Sequence, residues 1–312
     1  MNSARRSELA SEILKMRVLI TGAEGFTGHY LAAELKAAGH EVHGLVRHPT
    51  PSAVLDSVRV ADLHDAPALA SVIQEVKPDA LVHLAAIAFV AHGSIDDIYR
   101  TNIVGTRNLL QALSEASTPV KSMLLASSAN VYGNAAGGRL DEATPPQPAN
   151  DYAVSKLAME YVAQLYSNRL PFIVTRPFNY TGVGQSINFL LPKIVDHFRR
   201  RAPVIELGNL DVARDFLDVR TVVAYYRQLL ESPAAVGGTF NVCSGRTWSL
   251  TEVLDLARDL SAHSIEVRVN PAFVRADEVK TLCGNPAKLQ SLVGNTPVIE
   301  LRETLRWMLE AP

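Results

Sequence analysis

Cysteine is nearly absent from this chain: its 312 residues contain two, Cys243 and Cys283. Two thiols cannot build a disulfide framework or a cysteine-based zinc site on their own, and so low a count points to a reducing, cytoplasmic compartment. An excess of charge of one sign is also missing. Thirty Lys and Arg stand against 32 Asp and Glu, a formal net charge of −2, without the basic surplus of a nucleic-acid binder. Long hydrophobic runs are lacking too. The longest, Ala80 to Ala91, contains His83 and falls well short of the ~20 residues that span a bilayer. Neither nucleic acid nor membrane is therefore expected as a partner. Residues 1–15 are polar and charged, without the apolar run of a signal peptide. They read as an extension ahead of a fold that starts at Met16.

What is present is globular in composition. Apolar residues make up 47% and charged residues 20%, enough to bury a sizeable core. Short apolar runs alternate with helical periodicity. Arg17–Ile20, Glu41–Val46, Val58–Val60, Ala80–Ala85, Ser122–Ala126 and Phe172–Thr175 read as strands. Phe26 to about Ala38, Ala66–Val76, Ile95–Ala116 and Ala153–Tyr166 read as the intervening helices. Uninterrupted apolar strands joined through helices predict an α/β fold, a doubly wound parallel sheet of the Rossmann type. After Asn179 the rhythm breaks. Helices are expected over Phe189 to about Arg201, Leu250–Leu260 and Glu300–Leu309, with a strand at Thr239–Cys243. The expected division is a dinucleotide-binding domain over 16–178 plus about 205–245, and a smaller, discontinuous substrate domain over about 179–204 and 246–312.

The first strand runs into Thr21-Gly22-Ala23-Glu24-Gly25-Phe26-Thr27-Gly28. Small residues at 22, 25 and 28 permit a tight turn, a close backbone approach to a pyrophosphate and close helix–strand packing, and the helix N-terminus then faces the negative charge. The spacing is G-x-x-G-x-x-G rather than G-x-G-x-x-G, but it stands in the required strand–turn–helix context. An acidic residue after the second strand would suit a ribose 2′-hydroxyl, whereas Arg47 stands there and suits a 2′-phosphate. That tilts the expected cofactor to NADP, with NAD as the alternative. Asp62, after the third strand, reads either as an adenine contact or as a helix cap.

A second constellation follows. Ser127-Ser128-Ala129-Asn130-Val131-Tyr132-Gly133 ends the fifth strand, and Tyr152-Ala-Val-Ser-Lys156 opens a helix. Tyr152 and Lys156, four apart, share a helical face. A free phenol is a poor acid–base group at neutral pH, and a nearby ammonium would favour its ionised form. A serine hydroxyl from the neighbouring strand end can bond the reacting oxygen. Ser128, Tyr152 and Lys156 thus suit proton transfer to a carbonyl–alcohol pair beside a nicotinamide.

With these segments the chain resembles the extended short-chain dehydrogenases/reductases of the nucleotide-sugar type, from Met16 onward. His83-Leu-Ala-Ala86, Asn102–Thr106 and Arg176-Pro-Phe-Asn179 also carry the resemblance. It implies that Ser128, Tyr152 and Lys156 are catalytic, that Lys156 also bonds the nicotinamide ribose, and that Asn102 ties strand to helix. It further implies dinucleotide contacts from Gly22, Gly25, Phe26, Thr27, Gly28, Arg47, Asp62, Leu63, Leu84, Ala85 and Ala86. Asn179–Gln185, Gly208–Val219, Asn241–Gly245 and Arg275–Val279 resemble the branch that acts on GDP-sugars. There Arg214 and Arg275 match diphosphate ligands, Glu278 matches a ribose ligand, and Asn130 and Asn179 border the sugar. The 4,6-dehydratases of that branch carry Glu two residues after the catalytic hydroxyl. Asn130 stands at that place, and an amide cannot remove a proton from C5. The resemblance therefore implies reduction of the C4 ketone of a GDP-4-keto-6-deoxyhexose, to the rhamno product or its C4 epimer. The rivals are a nucleotide-sugar 4-epimerase with tightly held NAD and a non-catalytic dinucleotide binder. Members of the family pair as homodimers through the helices matching Ile95–Ala116 and Ala153–Tyr166. Leu157, Tyr161 and Leu165 form a stripe suited either to a partner or to the chain's own sheet.

Overall fold

The computed structural model describes residues 15–88, 94–133, 138–274, 279–294 and 296–311. Strands β1 (Arg17–Thr21), β2 (Glu41–Val46), β3 (Ser57–Val60), β4 (Ala80–His83), β5 (Ser122–Ala126) and β6 (Phe172–Pro177) alternate with helices α1 (Phe26–Ala37), α2 (Ala66–Val76), α3 (Ile95–Tyr99), α4 (Thr106–Ser114) and α5 (Asp151–Gln164). Then follow β7 (Asn179–Thr181), α6 (Leu190–Arg199), β8 (Val204–Leu207), β9 (Ala213–Asp218), α7 (Val219–Glu231), β10 (Thr239–Val242), β11 (Thr247–Ser249), α8 (Leu250–Ser261), β12 (Glu266–Val269), β13 (Thr281–Leu282), α9 (Ala287–Val293) and α10 (Leu301–Glu310).

Seven strands form one sheet in the order β3-β2-β1-β4-β5-β6-β10, and every pairing in it is parallel. Central strands buried on both faces must be apolar along their length, as β1 and β4 are. Helices α1 and α7 cover one face, with Leu31, Leu35, Val222, Tyr226 and Leu229 in a shared core. Helices α2, α4 and α5 cover the other, through Leu69, Ile73, Leu109, Leu113 and Met159. A fully buried leucine such as Leu35 contributes about 1.5–3 kcal/mol. The strand order reverses between β1 and β4, so a crevice opens at the carboxyl ends of those two strands.

The remaining elements build a smaller region. Strands β11, β9 and β13 form a second sheet with β7 added on β9, and β12 pairs with β8. Helices α6, α8 and α10 enclose its own core around Ile194, Phe198, Val253 and Leu305. Sheet membership therefore departs from the division expected near residue 205. Strands β8 and β9 lie outside the seven-stranded sheet, and the chain returns to it only with α7 and β10. The reason is a crossover the sequence does not announce: β9 runs parallel to β7 and antiparallel to β11.

The helix expected over Ile95–Ala116 is also interrupted. Arg100–Gly105 forms a π-helical turn between α3 and α4, and α4 ends at Ser114. Gly105 sits at this turn against Leu63, where an added Cβ would come within 2.9 Å of the leucine Cβ. Such π-turns concentrate at functional sites, and this one carries Asn102. Among the described residues no helix is long and apolar enough to cross a membrane, and no cluster of His, Cys, Asp or Glu suits a metal ion.

Candidate active site

At the end of β1 the chain turns on Gly22, whose φ of +68° favours glycine. A Cβ there would also meet the Ala85 amide at 2.9 Å, and one on Gly28 would lie 2.4 Å from the Gly22 carbonyl oxygen and 2.7 Å from Ala23 Cα. Both neighbours are backbone and cannot swing away. The tight loop delivers Gly25 as the N-cap of α1, where no side chain caps the terminus and no acidic residue occupies the first turn. The partial positive charge of α1 and its first N–H groups face a cavity of about 380 Å³ lined by Gly22, Gly25, Phe26, Thr27, Gly28, Leu84, Ala86, Ser128, Tyr152 and Lys156. A glycine cradle that side chains would fill, in front of an uncapped helix, fits the pyrophosphate of a dinucleotide.

The second constellation faces the same cavity. Ser128, with extended backbone after β5, accepts a hydrogen bond from the Asn130 amide at 3.1 Å. Asn150 caps α5 by accepting from the Ala153 amide at 2.9 Å, so the helix starts with Tyr152 in its first turn. The Lys156 ammonium lies 6.0 Å from the Tyr152 ring centroid and donates to the Ala126 carbonyl at 2.7 Å. Burial raises the Tyr152 pKa, the neighbouring Tyr180 adds to the rise, and a hydrogen bond with Ser128 opposes it. Burial also pulls the Lys156 pKa down to about 8, with Glu160 acting against the fall. The lowering of the phenol pKa expected from the ammonium is not what governs Tyr152: burial does, and it raises the pKa. The shift favours the protonated phenol, which is the form a proton donor needs.

A buried hydrogen-bond chain ties this helix to the glycine loop. Thr21 Oγ1 meets His83 Nδ1 at 2.7 Å, and His83 Nε2 meets Thr106 Oγ1 at 2.8 Å. Thr106 donates to the Asn102 carbonyl at 2.8 Å, so its oxygen must accept from His83 Nε2–H. His83 Nδ1 is then the acceptor and Thr21 the donor. Burial foremost, with Lys156 adding to it, lowers the His83 pKa to about 3. Asn102 accepts from the Ile87 amide at 2.8 Å and donates to the Ile87 carbonyl and to Ser155 Oγ at 3.1 and 2.9 Å. Ser155 in turn donates to the Tyr152 carbonyl at 2.8 Å. Behind the site a buried ion pair joins Arg176 Nη2 to Glu160 at 2.7 Å. Arg176 Nη1 also donates to the Tyr132 hydroxyl at 3.0 Å.

A larger cavity of about 610 Å³ adjoins the first and shares Asn130, Tyr152, Asn179 and Tyr180 with it. Arg214 lines it, with Nη1 donating to the Ala213 and Lys280 carbonyls at 3.0 and 3.1 Å. Not every residue expected at the site is brought there. Arg47 is exposed after β2 and donates from Nε to His48 Nε2 at 3.3 Å. Asp62 accepts from the His64 amide at 2.9 Å. Asp65, not Asp62, caps α2. Leu63 packs under Gly105, and Ala85 backs Gly22; none of these four lines either cavity. Arg275 and Glu278 lie outside the described residues. Tyr180, Gln185 and Phe189 line both cavities and were not among the expected site residues. Tyr180 is nevertheless the neighbour of Asn179 in a motif that was.

A doubly wound sheet with a glycine cradle and a Ser–Tyr–Lys constellation defines an extended short-chain dehydrogenase/reductase, a class of nucleotide-sugar enzymes. Residues 19–308 match the family described as GDP-mannose 4,6 dehydratase, and the chain belongs to that family. It is 35% identical over 281 residues to GDP-6-deoxy-D-talose 4-dehydrogenase of Aggregatibacter actinomycetemcomitans, covering 90% of this chain and 92% of the relative. It is likewise 35% identical to GDP-6-deoxy-D-mannose reductase of Pseudomonas aeruginosa, covering 95% and 97%. Among solved structures, a candidate epimerase from Burkholderia cenocepacia J2315 is 52% identical with a TM-score of 0.89, covering 95% of this chain and 97% of that one. RMD from Pseudomonas aeruginosa complexed with NADPH is 32% identical with a TM-score of 0.83, covering 95% and 98%.

Proposed function

We propose that this protein reduces the C4 ketone of a GDP-4-keto-6-deoxyhexose, giving GDP-D-rhamnose or its C4 epimer. The observation that carries the reading is the junction of the two cavities: Tyr152 lines both together with Asn130, an amide where a dehydratase needs a carboxylate. NADPH or NADH supplies the hydride when bound. Gly22, Gly25, Phe26, Thr27 and Gly28 hold its pyrophosphate on the uncapped end of α1, with Leu84 and Ala86 along the crevice. Arg47, exposed just after β2 and outside both cavities, would meet a 2′-phosphate only at the edge of the crevice. Tyr152 donates its proton to the C4 oxygen, and Ser128 hydrogen-bonds that oxygen as charge develops on it. Lys156, held by the Ala126 carbonyl, fixes the ribose and stabilises the phenolate left on Tyr152. On the sugar-nucleotide side Arg214 and Arg275 engage the diphosphate, Glu278 the nucleotide ribose, and Asn130 and Asn179 the sugar. The guanidinium fork suits phosphate oxygens.

Adding GDP-4-keto-6-deoxy-D-mannose with NADPH or NADH should consume the reduced nicotinamide, and NMR identifies the sugar formed. Tyr152→Phe should cut kcat by about 10²–10⁴-fold while NADPH and GDP still bind. Turnover near wild type in that variant, or water loss from GDP-mannose by the wild type, would rule the reading out. The likeness to a candidate epimerase favours a second reading, a nucleotide-sugar 4-epimerase. It requires the protein to purify with stoichiometric NAD and to interconvert C4 epimers without net consumption of cofactor.

A further inference from the structure

Tyr180 belongs to both cavities, and its side chain and its backbone serve different parts of the molecule. Its hydroxyl meets Thr27 Oγ1 at 2.8 Å, in the first turn of α1. Its ring stacks on Phe26 at 6.2 Å with an interplanar angle of 14°. Its backbone is strand β7, which pairs with β9 in the register Asn179↔Phe216, Tyr180↔Leu217 and Thr181↔Asp218. Strand β9 carries Phe216 and Arg214 into the larger cavity. Gln185 locks the turn after β7 by donating to the Tyr180 carbonyl at 3.1 Å and accepting from Thr181 at 2.7 Å. Tyr30 ties the same segment to α1 through the Val183 carbonyl at 2.7 Å.

The Thr27 hydroxyl has a single proton. In the Thr27–Tyr180 pair either hydroxyl can be the donor. Once Thr27 gives its proton to an anion at the helix terminus, its oxygen can bond Tyr180 only by accepting. The Tyr180 hydroxyl then has one orientation, and the strand it belongs to is held against α1. Resting on the assignment of the two cavities above, we propose that Tyr180 is a positioning residue that couples them. A dinucleotide at α1 fixes β7 and, through β9, Arg214, so dinucleotide and nucleoside diphosphate bind with positive cooperativity. Each ligand then meets a site the other has already ordered.

The test is calorimetric and needs no turnover. GDP is titrated into the intact protein with and without saturating NADP+, for the wild type and for Tyr180→Phe. Phenylalanine keeps the ring on Phe26 and removes only the hydroxyl, and a thermal melt checks that the variant is folded. The wild type should bind GDP about fivefold tighter or better with NADP+ present. In Tyr180→Phe that factor should fall to within about twofold of unity, whatever the affinity of the variant for either ligand alone. A wild-type factor of one, or an undiminished factor in Tyr180→Phe, overturns the coupling while leaving the proposed reaction standing. A protein that binds neither NADP+ nor GDP overturns the proposed reaction and the coupling with it.

Discussion

Lys156 and His83 are both buried beside the cleft, and burial disfavours the charged form of each, with opposite consequences for the protein. In the proposed reaction Lys156 must carry its proton to act on Tyr152 and the ribose. With its pKa near 8, kcat/KM should hold through neutral pH and fall by about tenfold per unit above that value. The limb belongs to the lysine because burial moves the Tyr152 phenol upward. A profile flat to pH 10 would contradict this. For His83 the linkage concerns folding. Its folded pKa of about 3 lies below the ordinary histidine value of 6.5, so the unfolded chain takes up the proton first. The stability is fully present above pH 6.5 and is lost as pH falls toward 3, by roughly 2–3 kcal/mol at pH 4.5. Urea unfolding at pH 7 and pH 4.5 measures it. His83→Gln keeps a donor and an acceptor but cannot titrate, so its stability should fall less over the same interval. Equal losses in the two proteins would remove His83 as the source.

The element on which most depends is α1, because its first turn is both the packing seam with β1 and the proposed site of the pyrophosphate. Gly28→Ala puts a methyl group 2.4 Å from the Gly22 carbonyl oxygen, and only the backbone can give way. NADP+ affinity should fall at least about tenfold and stability by about 1–3 kcal/mol, as read by titration and by thermal unfolding. Normal affinity would show that the loop has more room than its geometry allows. This part of the molecule was legible because its signals are local: glycines between an apolar strand and a helix, and Tyr152 and Lys156 one turn apart. The site's wiring was not. Thr21, His83, Thr106, Asn102 and Ser155 are distant along the chain and meet only when β1, β4 and the two helices pack. Strands β7, β11 and β13 span two or three residues, too short for any alternation to register. Helix α7 is a different case. It is missing from the sequence-based expectation, although Asp218 caps it and Val219, Val222, Val223, Tyr226, Leu229 and Leu230 mark a buried helical stripe.

At the scale of the whole molecule, one surface is apolar without a partner among the described residues. Of the stripe expected on α5, Leu157 turns inward and packs beside Tyr132, Leu140 and Phe178. Tyr161 and Leu165 stay 65% and 74% exposed, with Val154 on the same side of the helix at 39%. The adjoining helical segments add Ile95 and Val104, and the Tyr99 hydroxyl holds them to α5 by donating to Asp151 at 2.7 Å. Large apolar side chains clustered at the surface mark an interaction site, and helices present such faces to other helices. A second copy of the chain is the occupant the family resemblance implies. Burying Tyr161 and Leu165 in it would stabilise the pair by about 1.5–3 kcal/mol for each side chain. Sedimentation velocity at micromolar concentration should therefore give a dimer. Replacing both residues by Glu should give a monomer that still binds NADPH, because neither residue lines a cavity. A wild-type monomer at every concentration, or a Tyr161→Glu/Leu165→Glu protein that remains dimeric, would show that this face is not where two copies meet.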